Sequence, residues 1–188
     1  EEAESLLKKM LEYDLNDYEL HYYLGLVFSA AKKNDLAQIE MEKVLALKPN
    51  FYDAWKELCL IPIREKDYDA AEIVAERFTR EFSDNSVAWQ LHGMVMSLKK
   101  EYEKALRSFR HSISQDSTNA YSWFELGSAF ERSKQIDSAA FAFRKVLKLQ
   151  PDDPAACNYL GYMWAERGIN LDSSKILIEI ALRQEPDN

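Results

Sequence analysis

The stretch AYSWFELGSAFERSKQIDSAAFAFRKVLKLQPDD, residues 120–153, decides the fold. It holds two amphipathic runs of about 13 residues, each with apolar side chains three and four apart, the spacing of one helix face. The first run carries Trp123, Leu126, Gly127 and Phe130; the second carries Ala139, Phe143, Val146 and Leu147. Lys134-Gln135 makes the short turn between them. Pro151, followed by Asp152-Asp153, stops the second run and cues whatever comes next.

Working outward, the same features recur with a period of 34 residues. Trp55, Trp89 and Trp123 form one ladder, and Ala37, Ala71, Ala105 and Ala139 a second. Gly25, Gly93, Gly127 and Gly161 form a third, with Cys59 at its missing rung. Pro49 and Pro151 stand three periods apart. The ladders divide the chain into repeats 18–51, 52–85, 86–119, 120–153 and 154–188, the last one residue longer around Gly168-Ile169-Asn170-Leu171. Residues 1–17 match the second half of a repeat, with Ala3, Leu7 and Met10 at the second-helix positions, so residues 1–188 read as one array. The small residues have a packing reason: two antiparallel helices approach closely only where a side chain is small. Asn34, Lys66-Asp67 and Lys100-Glu101 read as the turns inside the other repeats.

Trp-x-x-Leu-Gly-x-x-Phe at 123–130, then Ala139, Phe143 and Pro151, resembles the signature of the tetratricopeptide repeat, and every other repeat matches it in part. The resemblance implies an all-α fold, a right-handed superhelical solenoid of antiparallel helix pairs whose first helices line a concave groove. The segment from Leu160-Gly161-Tyr162 to Arg167-Gly168-Ile169-Asn170-Leu171-Asp172 is further similar to the closing repeat of some bacterial tetratricopeptide proteins, often of the cell envelope.

Composition excludes several classes. With 5 Gly and 5 Pro in 188 residues, and 47% of them hydrophobic, the chain has core material but few breakers, unlike a turn-rich sheet protein. No apolar run is long enough to span a membrane, so no insertion is expected from this segment. Thirty-two acidic against 24 basic side chains leave a formal charge of −8, with the charges interspersed; a phosphate-neutralising partner is not expected. Cys59 and Cys157, far apart in the chain, read as small buried apolar residues. His21, His92 and His111 have no metal-ligand spacing, and His92, on the Leu126 ladder, reads as a packing residue needing a hydrogen-bond partner. No phosphate-binding loop or nucleophile elbow is present. Neither catalysis, a cofactor nor a metal is expected.

Function is therefore expected on the inner side of the first helices, at positions that avoid the packing ladders. These are Glu19, Tyr22 and Leu26; Asp53, Lys56, Leu60 and Ile63; and Val87, Gln90, Met94 and Leu98. Next come Tyr121, Phe124, Ser128 and Glu131, then Asn158, Tyr162 and Ala165. Large apolar residues there are not explained by packing and point to a binding surface. The best known function of this family is a clamp of Lys, Asn and Arg on a peptide's C-terminal carboxylate. That clamp has Asn four residues after Lys, whereas here Lys56 is followed by Leu60, and the next helix offers Gln90 and Met94. The expected ligand is instead a protein segment, peptide or helix, with apolar anchors held by aromatic and Met side chains. Tyr22, Leu60, Met94 and Phe124 are expected to outweigh the charged residues of the surface. The leading reading is a protein-interaction scaffold or adaptor. The alternatives are a substrate-targeting arm of a larger enzyme, and an RNA-reading helical repeat, which the acidic balance disfavours.

Two local expectations follow. Pro62 sits inside a first helix and is expected to kink or end it. The final helix, read as Ser174 to Gln184, places Ile176 and Ile180 one turn apart; this end is expected to dock onto further residues of the protein or onto a second copy of the chain.

Overall fold

The computed structural model describes residues 2–184, and among them every regular element is a helix. A leading helix α1 (Glu2–Leu11) is followed by five pairs: α2 (Tyr18–Ala30) with α3 (Asn34–Leu47), and α4 (Tyr52–Glu65) with α5 (Tyr68–Glu81). Then come α6 (Ser86–Leu98) with α7 (Tyr102–Gln115), α8 (Ala120–Arg132) with α9 (Ile136–Leu149), and α10 (Pro154–Glu166) with α11 (Leu171–Gln184). The first helices begin at residues 18, 52, 86, 120 and 154, one period apart. The helices gather into two compact units, α1–α5 before residue 84 and α6–α11 from it onward. Each is described by itself.

The starts of the first helices have a chemical cause. Asp17, Asn85, Asn119 and Asp153 cap α2, α6, α8 and α10, accepting hydrogen bonds from backbone N–H groups of the first turn. These are the donors a helix cannot satisfy internally. The fifth rung of that ladder is Phe51, which makes no cap bond and packs against Tyr18 and Tyr22 instead. The ends of the first helices also repeat. Lys32, Lys66, Lys100, Lys134 and Gly168 take left-handed backbone with φ of 57°, 62°, 62°, 61° and 63°. In each case the next residue's N–H reaches back five residues to a carbonyl, as Lys33 to Phe28 at 2.9 Å and Gln135 to Phe130 at 2.8 Å. This is the Schellman closure, which occupies carbonyls the helix leaves open.

That closure explains why Pro62 does not end its helix. α4 runs through Glu65, against the expectation of an early stop. Pro62 occupies the acceptor position of the closure: Lys66 N–H donates to the Ile63 carbonyl at 3.1 Å and Asp67 N–H to the Pro62 carbonyl at 2.9 Å. Proline lacks a donor but keeps its carbonyl, so in the last turn it costs one bond, that to Leu58. Two smaller expectations are also corrected. Asn34 is the first residue of α3, the turn before it being made by Ala31, Lys32 and Lys33. α11 begins at Leu171, and Ser174 lies within it, buried and donating its hydroxyl to the Gly161 carbonyl at 2.7 Å.

The core sits between paired helices. Gly93 and Gly127 face the fully buried rings of Phe109 and Phe143, and Gly25 faces Met41. In the second repeat, Cys59 replaces the glycine and fully buried Ala75 stands where the large partner would be, so volume is exchanged across the contact. Phe78 fills that region, stacked on Trp55 with ring centroids 6.1 Å apart. The Trp ladder has a second role. The indoles of Trp55 and Trp123 donate to carbonyls six residues back, Pro49 at 2.7 Å and Ser117 at 3.0 Å, tying the loop between repeats to the helix. His21 stands on the same ladder and does the same through Nε2, to Leu15 at 3.0 Å. Its Nδ1 pairs with the buried Glu40 carboxylate at 2.5 Å, so the remaining ring nitrogen is satisfied too. Both cysteines are free and buried, and burial pushes the Cys59 thiol up to about 12.

Candidate functional site

In the first unit, α2 and α4 carry seven of the expected residues. Tyr22 is half-buried, edge-on to Phe51 with ring centroids 5.0 Å apart and beside Tyr23 at 5.7 Å. Burial raises its hydroxyl's pKa, and the nearby Asp53 and Glu57 carboxylates add to the effect. Leu26, Leu60 and Ile63 are half-buried, while Glu19, Asp53 and Lys56 stand exposed. Arg64 crosses from α4 to the Ser29 hydroxyl at 2.8 Å and sits 3.7 Å from Glu57. The face is thus a sunken apolar strip edged by carboxylates, with Lys56 and Arg64 as cations.

In the second unit, α6, α8 and α10 present a more aromatic face. Tyr121 is 45% exposed and its hydroxyl donates to the Met94 sulfur at 3.6 Å. Burial, with the Glu125 carboxylate close by, pushes that hydroxyl up to about 12. Burial also raises the Glu125 carboxyl above its ordinary value, while the Tyr121 hydrogen bond and Arg132 pull it down. Phe124 is half-buried, edge-on to the core ring Phe143 at 5.5 Å and to Tyr159 at 5.7 Å. Tyr159 is stacked on Phe143 at 5.1 Å. A cleft of about 410 Å³ opens beside these rings, bordered by Glu131, Asn158, Tyr159 and Tyr162, with Tyr162 62% exposed. Val87 and Ser128 are half-buried, and Leu98 and Ala165 exposed.

Not every expected residue is available. The Gln90 carboxamide oxygen accepts from the Asn119 side chain at 2.9 Å and from the Ser122 hydroxyl at 3.4 Å, so it links the cap of α8 to α6. Ser122 in turn shares a 2.8 Å hydroxyl contact with Ser112. Gln90 is a joint in the frame. Tyr159, Glu125 and Tyr23 belong to these faces and escaped the sequence reading. All three occupy one rung of the period, between the packing ladder and the groove positions, a rung filled by Leu91 in the third repeat. At the far end Ile176 is 57% exposed and Ile180 half-buried. Ile176 shares its rung with Ile39, Ile73 and Phe141, all exposed, so an outward apolar side chain there is a feature of several repeats rather than of the end alone.

Among the described residues no cluster of three metal-ligating side chains forms, and no helix is long and apolar enough to cross a membrane. His92 is half-buried, and its Nδ1 meets the Ser108 hydroxyl at 2.7 Å, the partner its ladder position called for.

The tetratricopeptide repeat family profile matches residues 120–153. No curated protein sequence matches the chain. Among solved structures it is similar to pilF of Pseudomonas aeruginosa, with a TM-score of 0.80 at 18% identity, covering 91% of this chain and 78% of that one. It is similar to MamA of Desulfovibrio magneticus RS-1, with a TM-score of 0.71 at 24% identity over 81% and 86% of the two chains. It is also similar to YrrB, described as a TPR protein with an unusual peptide-binding site, with a TM-score of 0.73 at 18% identity over 97% and 93%. The family match at residues 120–153, the all-helical pairs and the likeness of fold agree with the 34-residue ladders: the chain carries a tetratricopeptide repeat at 120–153 and has the helix-pair fold of tetratricopeptide-repeat proteins.

Proposed function

We propose that the chain is a protein-interaction scaffold that holds a partner's peptide or helix against its first-helix faces through apolar anchors. The observation that carries this is the aromatic face of the second unit, where Tyr121 stands exposed on α8 and Tyr162 stands exposed at the border of a cleft of about 410 Å³. Large exposed aromatics with a rigid backing are the usual anchors of a binding surface. Here the backing is supplied by Phe124, Tyr159 and Phe143, which hold one another edge-on or stacked. YrrB, similar in fold, is described as binding peptide, which agrees with this reading. Glu125 and Glu131 edge the face, so the preferred segment carries aliphatic or aromatic side chains with neutral or basic neighbours. On the first unit, Tyr22, Leu26, Leu60 and Ile63 serve as a shallower apolar strip.

Peptides selected from a random phage-displayed library against the immobilised chain test the proposal. The selected sequences are expected to carry two or more large apolar residues. Tyr121→Ala and Tyr162→Ala should each weaken the best peptide by about tenfold or more, and Lys56→Ala by less than about twofold. Peptides that depend on Lys56 and ignore both tyrosines would show that the surface reads charge, and the proposal would fail.

A further inference from the structure

The side of each unit built from second helices carries a notch; the two notches share three rungs of the period, Glu42 with Arg110, Leu45 with Ile113 and Trp55 with Trp123, and differ in charge. In the first unit it lies between α3 and the pair α4–α5, with a volume of about 330 Å³. Arg77 lies over the Trp55 ring, 5.0 Å from its centroid, and donates to both oxygens of Glu42 at 2.9 and 3.3 Å. The notch is closed by its own ion pair.

Two repeats later, in the second unit, the floor is larger and more apolar. Trp123, Phe130 and Phe141 line a notch of about 470 Å³ between α7 and the pair α8–α9, and Phe141 is 50% exposed. Arg110 stands at the rung of Glu42 and Lys145 at that of Arg77. Arg110 lies 5.3 Å from the Phe130 centroid, and the Lys145 ammonium lies 5.8 Å from Trp123 and 5.4 Å from Phe141. Neither cation is ion-paired among the described residues. The carboxylate in the lining, Asp137, is held by Arg167 at 2.6 Å. The charge is local to these helices: α7 has Lys104, Arg107 and Arg110 against Glu103, and α9 has Arg144, Lys145 and Lys148 against Asp137.

We propose that this notch is a docking site for an acidic segment of a partner protein, one that sets an aromatic or branched aliphatic side chain on the ring floor and a carboxylate between Arg110 and Lys145. The partner's carboxylate takes the place that Glu42 fills within the first unit. A charge contact beside an apolar floor is less screened than one in open water, and the rings hold both cations in position. Single-stranded nucleic acid also combines anions with stacking, but it tracks cations strung along a path. Here two cations flank one recess. The site is separate from the first-helix face, and either can fail without the other.

Fluorescence polarisation of the whole chain with a labelled peptide Glu-Glu-Leu-Phe-Glu-Glu tests this, alongside Lys-Lys-Leu-Phe-Lys-Lys, Glu-Glu-Ala-Ala-Glu-Glu and a ten-nucleotide oligouridylate. The acidic apolar peptide is expected to bind, the other two peptides at least about tenfold more weakly, and binding should fall with added salt. Arg110→Glu rebuilds the first unit's ion pair with Lys145, and Lys145→Glu builds it with Arg110. Each should leave the helical circular dichroism unchanged and weaken the acidic peptide by about tenfold or more. Phe141→Ala should weaken it without changing the salt dependence. No binding at millimolar peptide overturns the proposal. So does affinity indifferent to both charge reversals, and so does oligouridylate binding more tightly than the peptide with the same dependence on Arg110.

Discussion

Replacing Gly93 by alanine sets two known quantities against each other. A Cβ built there would stand 2.7, 2.8 and 2.9 Å from three carbons of the Phe109 ring. Unstrained carbon contacts lie at about 3.5–4.0 Å, so ring and helix must separate by roughly 0.8 Å. Phe109 is fully buried and its planar ring cannot fold away. Overpacking of this kind costs about 1–3 kcal/mol, while alanine in a helix interior gains about 1 kcal/mol over glycine. The net expectation is a loss of about 1 kcal/mol. Gly25 provides the contrast. Its added Cβ would meet the terminal Cε of Met41 at 2.7 Å, with the next neighbours at 3.3 and 3.5 Å. A flexible thioether end can swing aside, so the propensity gain nearly cancels the cost and Gly25→Ala is expected to be neutral.

Urea titration followed by tryptophan fluorescence reads both, with Trp55 in the first unit and Trp89, Trp123 and Trp164 in the second. With a slope of about 2 kcal/mol per molar, Gly93→Ala should lower the second unit's midpoint by roughly 0.5 M. Gly127→Ala, whose closest ring contacts are 2.9, 3.0 and 3.1 Å, should lower it less. Gly93→Ala combined with Phe109→Met imitates the Gly25–Met41 contact and should recover most of the loss. A Gly93→Ala chain as stable as the parent would refute the argument, as would a Gly25→Ala loss of equal size.

The four lysines in left-handed backbone each forgo about 1 kcal/mol relative to glycine, so Lys100→Gly or Lys134→Gly should raise the thermal midpoint. Gly168→Ala, with φ of +63° and nothing within 4 Å of the new Cβ, should lower it through backbone strain alone. Burial raises the Glu125 carboxyl, so the folded chain holds that proton more tightly than the unfolded chain, and stability falls as pH rises past the ordinary value of 4.5. Glu125→Gln should therefore be more stable than the parent at pH 7 and lose that advantage below about pH 4.5, in denaturant titrations at the two pH values. Burial raises both thiols, to about 12 for Cys59, so native chain at pH 8 should label with a thiol reagent only as its units open, Cys59 reporting the first unit and Cys157 the second. Labelling of either at the rate of a free peptide thiol would contradict this.

The period was legible because packing writes it in residue size. Trp, Gly and Ala at fixed rungs describe where helices touch, and the first helices begin where those rungs imply. The cap ladder of Asp17, Asn85, Asn119 and Asp153 was equally present but smaller in signal, since polar residues are common between helices. What could not be read were outcomes that depend on two positions at once. Pro62 looks like a breaker until the Schellman closure shows that its place needs an acceptor. Gln90 looks like a surface residue until Asn119 and Ser122 are brought to it. Lysine gives no hint of left-handed backbone, which the closure imposes on whatever residue stands there.

Charge shows most plainly why a whole-chain quantity misleads. A net −8 with interspersed signs argues for a uniformly solvated acidic surface. The helices divide it otherwise. α3 has Asp35, Glu40 and Glu42 against Lys43, and α5 has Asp69, Glu72, Glu76 and Glu81 against Arg77 and Arg80. α7 and α9 each have three cations against one carboxylate. Because residues one period apart occupy equivalent places, a change of sign at one rung changes the chemistry of the notch built around it. Glu42 with Arg77 neutralises the notch from within; Arg110 with Lys145 leaves it positive over exposed aromatic rings. Repetition fixes the geometry and leaves each repeat's charge free to vary, so specificity in this chain is to be sought in the rungs that break the pattern.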